Sequence, residues 1–267
     1  MKNQKLKGKE GFEEFYSNLF QERWLELKAA LLRPVKHFEF ADNLLSPYYM
    51  DKASYLVAKQ MPELKEGKCL DMCAAPGGKT LVLANTLGHD VKILANEISR
   101  ERRNRLLSVL DEHLKEETRS RVEVSGYDAS VLPKLAKFRN TEYECILLDA
   151  PCSSERHIIN SEKALKNWTA SRVKNLAIRQ WALLSAGFLL LKNEGILIYS
   201  TCALTPSEND GGIEKLIKKY KNKVEVIHTE PFENAEKTKH GLIFMPDYSG
   251  YGPMYFAKIK KVKTKEA

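Results

Sequence analysis

Short apolar runs, each closed by a polar residue, alternate with longer amphipathic stretches through most of this chain. The short runs predict buried strands, because strands covered on both faces of a parallel sheet are continuously hydrophobic. They cover residues 68–73, 91–96, 121–125, 143–149, 195–200, 223–227 and 254–260. The amphipathic stretches, with apolar residues at spacings of three and four, predict helices. They cover residues 79–87, 102–114 and 171–192.

The alternation of strands and helices predicts an α/β fold, a mostly parallel sheet with helices on both faces. Two helical segments, residues 11–33 and 52–60, come before it. We therefore predict a small N-terminal helical extension over residues 1–45 and a catalytic domain over residues 46–262. A basic tail follows over residues 263–267.

Composition narrows the class of protein. The 267 residues, 43% of them hydrophobic, suffice for one full-sized α/β domain. No apolar run reaches the length of about 18 residues that a membrane-spanning helix needs, so no membrane association is expected. The basic N-terminus lacks a following apolar segment and does not resemble a secretory signal. Five cysteines without framework spacing indicate reduced thiols, in a cytoplasm or an organellar matrix.

The formal net charge of +8 favours a polyanionic partner such as RNA. Basic residues concentrate in three clusters, Lys2–Lys9, Lys215–Lys223 and Lys258–Lys265. Each cluster alone is as typical of a solvated surface as of a phosphate contact. Together they predict a phosphate track beside the site.

A turn of small residues, DMCAAPGGKT from Asp71 to Thr80, joins the first strand of the alternation to its helix. Small residues let backbone N–H groups approach a ligand at a helix N-terminus. A phosphate-binding P-loop would need glycine at position 73, where this chain has cysteine, and a dinucleotide G-x-G-x-x-G is absent. The remaining interpretation is a site for S-adenosylmethionine.

Two acidic residues beside this turn support the same cofactor. Glu97 follows the strand at residues 91–96 and suits a ribose diol. Asp128 follows the next strand and would hydrogen-bond the adenine amino group. Either acid alone is as typical of a helix cap.

Two cysteines follow two further strands, Cys152 in Asp-Ala-Pro-Cys and Cys202 in Ser-Thr-Cys. Ligands bind at the carboxyl ends of parallel strands, so we expect both thiols to face one crevice. A thiolate is a good nucleophile for an electron-poor ring carbon. Cys69 and Cys145 lie within strands and are expected to be packing residues. No metal site is expected from Cys69 and Cys73, because their spacing is unusual and no second ligand pair follows.

Three stretches resemble the Sun family of RNA cytosine-5 methyltransferases: MCAAPGGKT at residues 72–80, LDAPCS at 148–153 and YSTC at 199–202. They occur in the family's order, and the resemblance extends over most of residues 40–262. Residues 153–157 and 252–256 are most similar to the mitochondrial small-subunit rRNA branch.

The resemblance implies a Rossmann-like fold and methyl transfer from S-adenosylmethionine to C5 of an RNA cytosine. It implies that Cys202 is the nucleophile at C6 and that Cys152 helps to resolve the covalent intermediate. Asp149 would contact the cytosine, and Lys79 would lie near it. The implied cofactor contacts are Cys73, Ala74, Ala75, Pro76, Gly77, Gly78, Lys79, Glu97, Arg102, Asp128 and Asp149.

The chain departs from the family pattern in two places, and competing functions stay open. The family usually has Asp where this chain has Glu97, and it often has Ser where this chain has Ala203. No separate RNA-binding domain is visible, so we expect a monomer that selects rRNA rather than tRNA, with help from a ribosomal subunit or accessory protein. An amino-group methyltransferase would show Asn/Asp-Pro-Pro-aromatic at residues 149–152. A non-catalytic RNA-binding assembly factor would have less reason to keep both thiols.

Overall fold

The strands and helices follow one another as the hydrophobic pattern predicts. A computed structural model describes residues 6–263, so positions 2–5, position 265 and most of the predicted tail lie outside the described residues. The helices are α1 (Gly8–Phe20), α2 (Trp24–Leu32), α3 (Lys52–Ala58), α4 (Gly78–Thr86), α5 (Arg100–His113), α6 (Glu116–Ser120), α7 (Glu155–Ile159), α8 (Glu162–Lys166), α9 (Ala170–Leu190), α10 (Asp210–Tyr220) and α11 (Pro246–Ser249). The strands are β1 (Phe38–Phe40), β2 (Tyr48–Met50), β3 (Glu66–Asp71), β4 (Asp90–Asn96), β5 (Val122–Ser125), β6 (Tyr143–Asp149), β7 (Leu191–Thr201), β8 (Val224–Ile227), β9 (Glu236–Lys237), β10 (Leu242–Phe244) and β11 (Met254–Lys261).

Within residues 6–263, nine strands form one sheet in the order β5-β4-β3-β6-β7-β11-β10-β9, with β8 paired to β11. The strands from β5 to β7 are parallel, whereas β11 runs antiparallel to β7 and continues into antiparallel neighbours. The predicted mostly parallel sheet is therefore confirmed. The predicted site residues that lie at or just after strand ends all belong to these parallel strands.

The sheet has a hydrophobic core on each face. In β6, Ile146 and Leu148 join a core that contains residues of α9, α1 and α2. Cys145 and Leu147, which alternate with them, join a second core with residues of α3, α4 and α5. Side chains alternate between the faces of a strand, so a strand buried on both faces must be apolar throughout. This explains the continuous runs and confirms helices on both faces.

The predicted helical segment 11–33 is divided into α1 and α2 by a 3₁₀ turn at Gln21–Arg23. Phe12, Tyr16 and Trp24 are buried in the core of the α9 face, and the Tyr16 and Trp24 rings stack at 5.4 Å. The N-terminal helices thus share a core with the sheet. The domain boundary at residue 45 stays a prediction.

The elements that were not predicted from the sequence are the β1–β2 hairpin, the strands β9 and β10, and the helices α6, α7, α8, α10 and α11. Both strands of the hairpin have three residues, too short to show a period of two. The hairpin sets Tyr48 and Met50 against the start of α4. Separately, none of the helices among residues 6–263 is both long and apolar enough to cross a membrane.

Candidate active site

A cavity of about 430 Å³, called the cleft below, lies at the carboxyl ends of the parallel strands. The predicted site residues that line it are Cys73, Ala75, Glu97, Arg102, Asp149, Cys152 and Cys202. A cavity of about 230 Å³ adjoins it, and the predicted residues there include Ala74, Pro76, Gly78 and Lys79. Gly77 and Asp128 line neither cavity. The structure thus brings most of the predicted residues to one edge of the sheet.

The two glycines of the turn are required by packing. Gly77 has φ of +124°, a backbone conformation that residues other than glycine rarely adopt. A Cβ added at this position would also lie 2.9 Å from Val109 Cγ1. At Gly78 an added Cβ would lie 2.7 Å from Cε1 of Tyr48. The sequence suggests that Gly78 leaves room for a cofactor. The structure shows that it leaves room for the hairpin, and its contact with the cofactor stays a prediction.

Buried polar side chains hold the turn from below. Asp71 accepts a hydrogen bond from Thr80 Oγ1 at 2.7 Å, and burial raises the pKa of this carboxyl to about 7. Asn96 donates to the carbonyls of Met72 at 3.1 Å and Tyr127 at 2.9 Å. Asn96 therefore couples the turn to the loop after β5. Sequence reasoning missed it, although it ends a predicted strand beside Glu97.

Glu97 is buried at the rim of the cleft. Its Oε1 accepts from Ser99 N at 2.9 Å, which fixes the carboxylate at the start of α5. Its Oε2 lies 3.2 Å from Arg102 Nη1 in an ion pair but has no hydrogen-bond partner within residues 6–263. Arg102 also donates to the carbonyl of Ala75 at 2.7 Å. One carboxylate oxygen thus keeps hydrogen-bonding capacity at the cleft.

Asp128 is engaged away from the cleft. Its Oδ1 accepts from Ser130 N at 2.9 Å and from Arg179 Nη2 at 2.8 Å. Burial acts to raise the pKa of Asp128, but the hydrogen bonds from Arg179 and Ser130 outweigh it and lower the pKa. The acid caps the 3₁₀ turn Ala129–Lys134, and its partner Arg179 is the residue that lines the cleft. Arg179 was not predicted, because it stands on the polar side of α9.

The two thiols meet at the other end of the cleft. Cys152 Sγ and Cys202 Sγ are 2.8 Å apart, and both cysteines are free. Ser154 Oγ contacts both sulfurs, at 3.5 Å and 3.2 Å. The hydrogen bond with Cys202, followed by burial, raises the pKa of Cys152 well above its usual value. Cys152 is therefore a protonated thiol in this arrangement, and Cys202 is half-buried beside it.

Lys79 and Asp149 form an ion pair beside the thiols. Lys79 Nζ donates to Asp149 Oδ2 at 2.8 Å and to Ser54 Oγ at 3.2 Å. Ser200 Oγ donates to Asp149 Oδ1 at 2.9 Å. Burial acts to lower the pKa of Lys79, but the attraction and hydrogen bond of Asp149 outweigh it and raise the pKa. The ammonium group stays charged and holds the carboxylate toward the cleft.

Cys202 also lines a cavity of about 380 Å³ on its other side, called the second cavity below. Its wall combines apolar Pro253 and Met254 with His37, Arg156 and His157. A larger cavity of about 570 Å³, around Lys68 and other residues, contains none of the predicted site residues. Within residues 6–263 no three His, Cys, Asp or Glu side chains are grouped as metal ligands would be. Because Cys202 lines both the cleft and the second cavity, its sulfur can be approached from either one.

A family profile described as 16S rRNA methyltransferase RsmB/F matches residues 59–260. The 5-cytosine rRNA methyltransferase NSUN4 of Bos taurus is 33% identical over 235 residues, covering 81% of this chain and 60% of NSUN4. Ribosomal RNA small subunit methyltransferase F of Shewanella piezotolerans is 35% identical over 201 residues, covering 74% of this chain and 41% of that protein.

Among solved structures, NSun6 from Pyrococcus horikoshii with SFG aligns with a TM-score of 0.69 at 27% identity, over 82% of this chain and 54% of that one. The chain therefore spans about half the length of these relatives, between 41% and 60%. The Rossmann-like methyltransferase fold and the Sun-family resemblance are confirmed. The chain belongs to the RsmB/F family of 16S rRNA methyltransferases.

Proposed function

We propose that this chain transfers a methyl group from S-adenosylmethionine to C5 of a cytosine in RNA, through a covalent bond between Cys202 and C6. The observation that carries the proposal is the pair of sulfurs 2.8 Å apart in a cleft that also holds the turn and Glu97. We favour rRNA over tRNA as the substrate, because the relatives are named for rRNA.

The residues present fit the cofactor. Glu97 offers a buried carboxylate oxygen without a hydrogen-bond partner among the described residues, which suits a ribose hydroxyl. The turn after β3 leads into the N-terminus of α4 beside it. When bound, S-adenosylmethionine supplies a methyl group on a positively charged sulfur. Arg102 and the turn would hold the remainder of the molecule.

Carbon–carbon bond formation requires that the cytosine ring first lose its aromaticity. Addition of the Cys202 thiolate to C6 achieves this and makes C5 nucleophilic. The Asp149 carboxylate would accept a hydrogen bond from the exocyclic amine and hold the ring in place, while the Lys79 ammonium beside it stabilises the negative charge that develops on the adduct. Lys79 holds Asp149 in place at 2.8 Å. Its charge also favours a thiolate nearby.

Release of the product requires loss of the C5 proton, after which Cys202 leaves and the aromatic ring is restored. Cys152 is the candidate base, since its sulfur lies 2.8 Å from the nucleophile. Its own thiol proton must first pass to water, so that the sulfur is free to accept the proton from C5. The raised pKa of Cys152 makes its thiolate strongly basic and suits this late step.

The second cavity is the proposed entrance for the target nucleotide. The cytosine must leave its stack for the sulfur to reach C6. Arg156 and His157 at the entrance suit a phosphate-bearing strand. The C-terminal basic cluster supports this less, because Lys260 pairs with Glu194 and Lys261 donates to the Leu191 carbonyl.

Methyl transfer by the purified chain tests the proposal. Radiolabelled S-adenosylmethionine and unmodified rRNA or tRNA transcripts are incubated with the wild type, Cys202→Ala and the control Cys145→Ala. We expect label at C5 of cytosine with the wild type and the control, and none with Cys202→Ala. Tight RNA binding without transfer by the wild type would favour a non-catalytic assembly factor. Activity only after a ribosomal subunit or accessory protein is added would establish the need for a partner, and sedimentation tests the proposed monomer.

A further inference from the structure

Two fully buried glutamates, Glu155 and Glu208, lie behind the loops that carry the thiols. The hydrogen-bond partners that the described residues supply to their carboxyl groups are all neutral: Tyr16, Ser153, Gln180, Thr205 and the backbone N–H of Leu204. Two ionised carboxylates at such a site would repel each other with little solvent screening. The cluster therefore needs a proton.

The contacts of Ser153 show where that proton lies. Its Oγ is 2.5 Å from Glu155 Oε1 and 2.6 Å from Glu208 Oε2. A serine hydroxyl has one proton and can donate only one of these hydrogen bonds. The other contact requires a proton on a carboxyl group, which donates to the serine oxygen.

The remaining donors distinguish the two acids. Glu208 accepts from Ser153 N and Gln180 Nε2 on one oxygen, both at 2.9 Å, and from Thr205 Oγ1 at 2.7 Å on the other. Glu155 accepts from Tyr16 OH at 2.6 Å and Leu204 N at 3.2 Å. The Glu208 carboxylate is thus surrounded by hydrogen-bond donors, as a buried anion requires. Glu155 donates to Ser153, which donates to Glu208.

This chain of hydrogen bonds joins the two thiol loops. Ser153 and Glu155 lie one and three residues after Cys152, whereas Thr205 and Glu208 lie three and six residues after Cys202. Gln180 of α9 also donates to the carbonyl of Pro151 at 3.0 Å. The distance between the sulfurs therefore depends on groups that no substrate touches.

We propose that Glu155 and Glu208 share one proton through Ser153, and that this pair is a positioning device that holds Cys152 and Cys202 at reacting distance. The importance of that distance for methylation rests on the proposed function. The sharing of the proton between Glu155 and Glu208 does not depend on the proposed function.

The pair makes stability depend on pH. Burial, and then the charge of Glu208, raises the pKa of Glu155 from 4.5 to about 7. Between those values the folded chain holds a proton that the unfolded chain has released, so stability falls as pH rises, and the decline ends above about 7. The other titratable groups that face the pair are Tyr16 from α1, Cys152 after β6 and Tyr199 from β7.

Two isosteric variants of the full chain, Glu155→Gln and Glu208→Gln, test the pair. An amide at position 155 can donate to Ser153 as the acid does, whereas an amide at 208 replaces one of two oxygens that each accept two hydrogen bonds with an NH₂ group. We expect crosslinking of Cys152 to Cys202 by dibromobimane, followed by mass spectrometry, to be about tenfold faster in Glu155→Gln than in Glu208→Gln. We also expect the unfolding temperature of the wild type to fall relative to Glu155→Gln between pH 4.5 and 7.

Equal crosslinking rates in the two variants would overturn the positioning role. A difference in unfolding temperature that stays constant over that pH range would overturn the shared proton, and this measurement decides even if Glu208→Gln does not fold. Neither readout requires methyl transfer. A chain that passes both tests but transfers no methyl group would reject the proposed function and keep the pair.

Discussion

The two ends of the cleft differ in how their polar groups are satisfied. At the cofactor end, the acids form ion pairs with arginines whose side chains are 54% and 39% exposed, Arg102 and Arg179. At the thiol end, Cys152 is buried against the sulfur of Cys202, and the buried acids Glu155 and Glu208 are joined through Ser153. Exposed ion pairs contribute little free energy and can open for a ligand. Buried networks fix geometry, which a covalent reaction needs.

The largest expected effect belongs to the thiol end. Cys152→Ala should permit attack by Cys202 and methylation but stall elimination, so that turnover falls on the order of 10²–10⁴-fold. A denaturation-resistant protein–RNA adduct should accumulate on gels after incubation with RNA and S-adenosylmethionine. Cys145→Ala is the matched control, because it removes a thiol from β6, the strand that precedes Cys152, and Cys145 does not line the cleft.

The same gel can reverse the assignment of the two thiols. An adduct with Cys202→Ala and none with Cys152→Ala would make Cys152 the nucleophile. Loss of activity and stability in both variants, with no adduct, would assign both thiols to packing and remove the contrast between the two ends.

Lys79→Gln should have the next largest effect, because Asp149 loses the cation that holds it. We expect kcat/KM to fall about 10–100-fold, the loss of about 1.5–3 kcal/mol for a hydrogen bond between charged groups. The control is Lys52→Gln, which breaks the exposed pair with Glu233 and should change the rate less than about twofold. Equal losses in the two variants would show that the half-buried pair of Lys79 and Asp149 has no special role in transfer.

Glu97→Ala probes the cofactor end. Loss of the ribose contact should weaken binding of S-adenosylhomocysteine about tenfold, within the range of about 1–3 kcal/mol for a charge-assisted hydrogen bond. Calorimetry against Glu101→Ala, an exposed acid in the first turn of α5, provides the comparison. An affinity equal to that of the wild type would leave Glu97 as a helix-positioning residue only.

Asp128→Asn should have the smallest effect. Asparagine can still cap the 3₁₀ turn, so only the ion pair with Arg179 is lost, worth about 0–1 kcal/mol of unfolding free energy. We expect S-adenosylhomocysteine to bind within about twofold of the wild type, since the carboxylate lies outside the cleft. A tenfold loss in calorimetry would restore Asp128 as the adenine contact.

The strands and the meeting of the thiols could be predicted because both follow from local pattern. An apolar run closed by a polar residue marks a buried strand and its carboxyl end, and such ends share one edge of a parallel sheet. Cys152 and Cys202 are 50 positions apart, yet each lies within three residues of the end of its own strand. The turn at Gly77 carries an equally local signal.

The contacts of the site could not be predicted, because they join distant segments. Tyr16 reaches Glu155 across 139 positions, and no spacing in the sequence records that distance. Tyr48 comes from a three-residue strand, and its ring would lie too close to any Cβ added at Gly78. A glutamate three residues after Cys152 and another six after Cys202 were visible, but their burial was not.

The antiparallel pairing of β11 with β7 has a consequence for the order in which the protein is made. Residues from Tyr255 to Lys260 pair with residues from Thr201 to Ile196, the strand that ends just before Cys202. A ribosome therefore completes every residue of the cleft before it makes the strand that covers this edge. Until then β7 offers open backbone groups to other chains, which is a hazard for aggregation. A chain truncated before Met254 would keep every residue of the cleft but would lack β11, so the edge of β7 would stay unpaired.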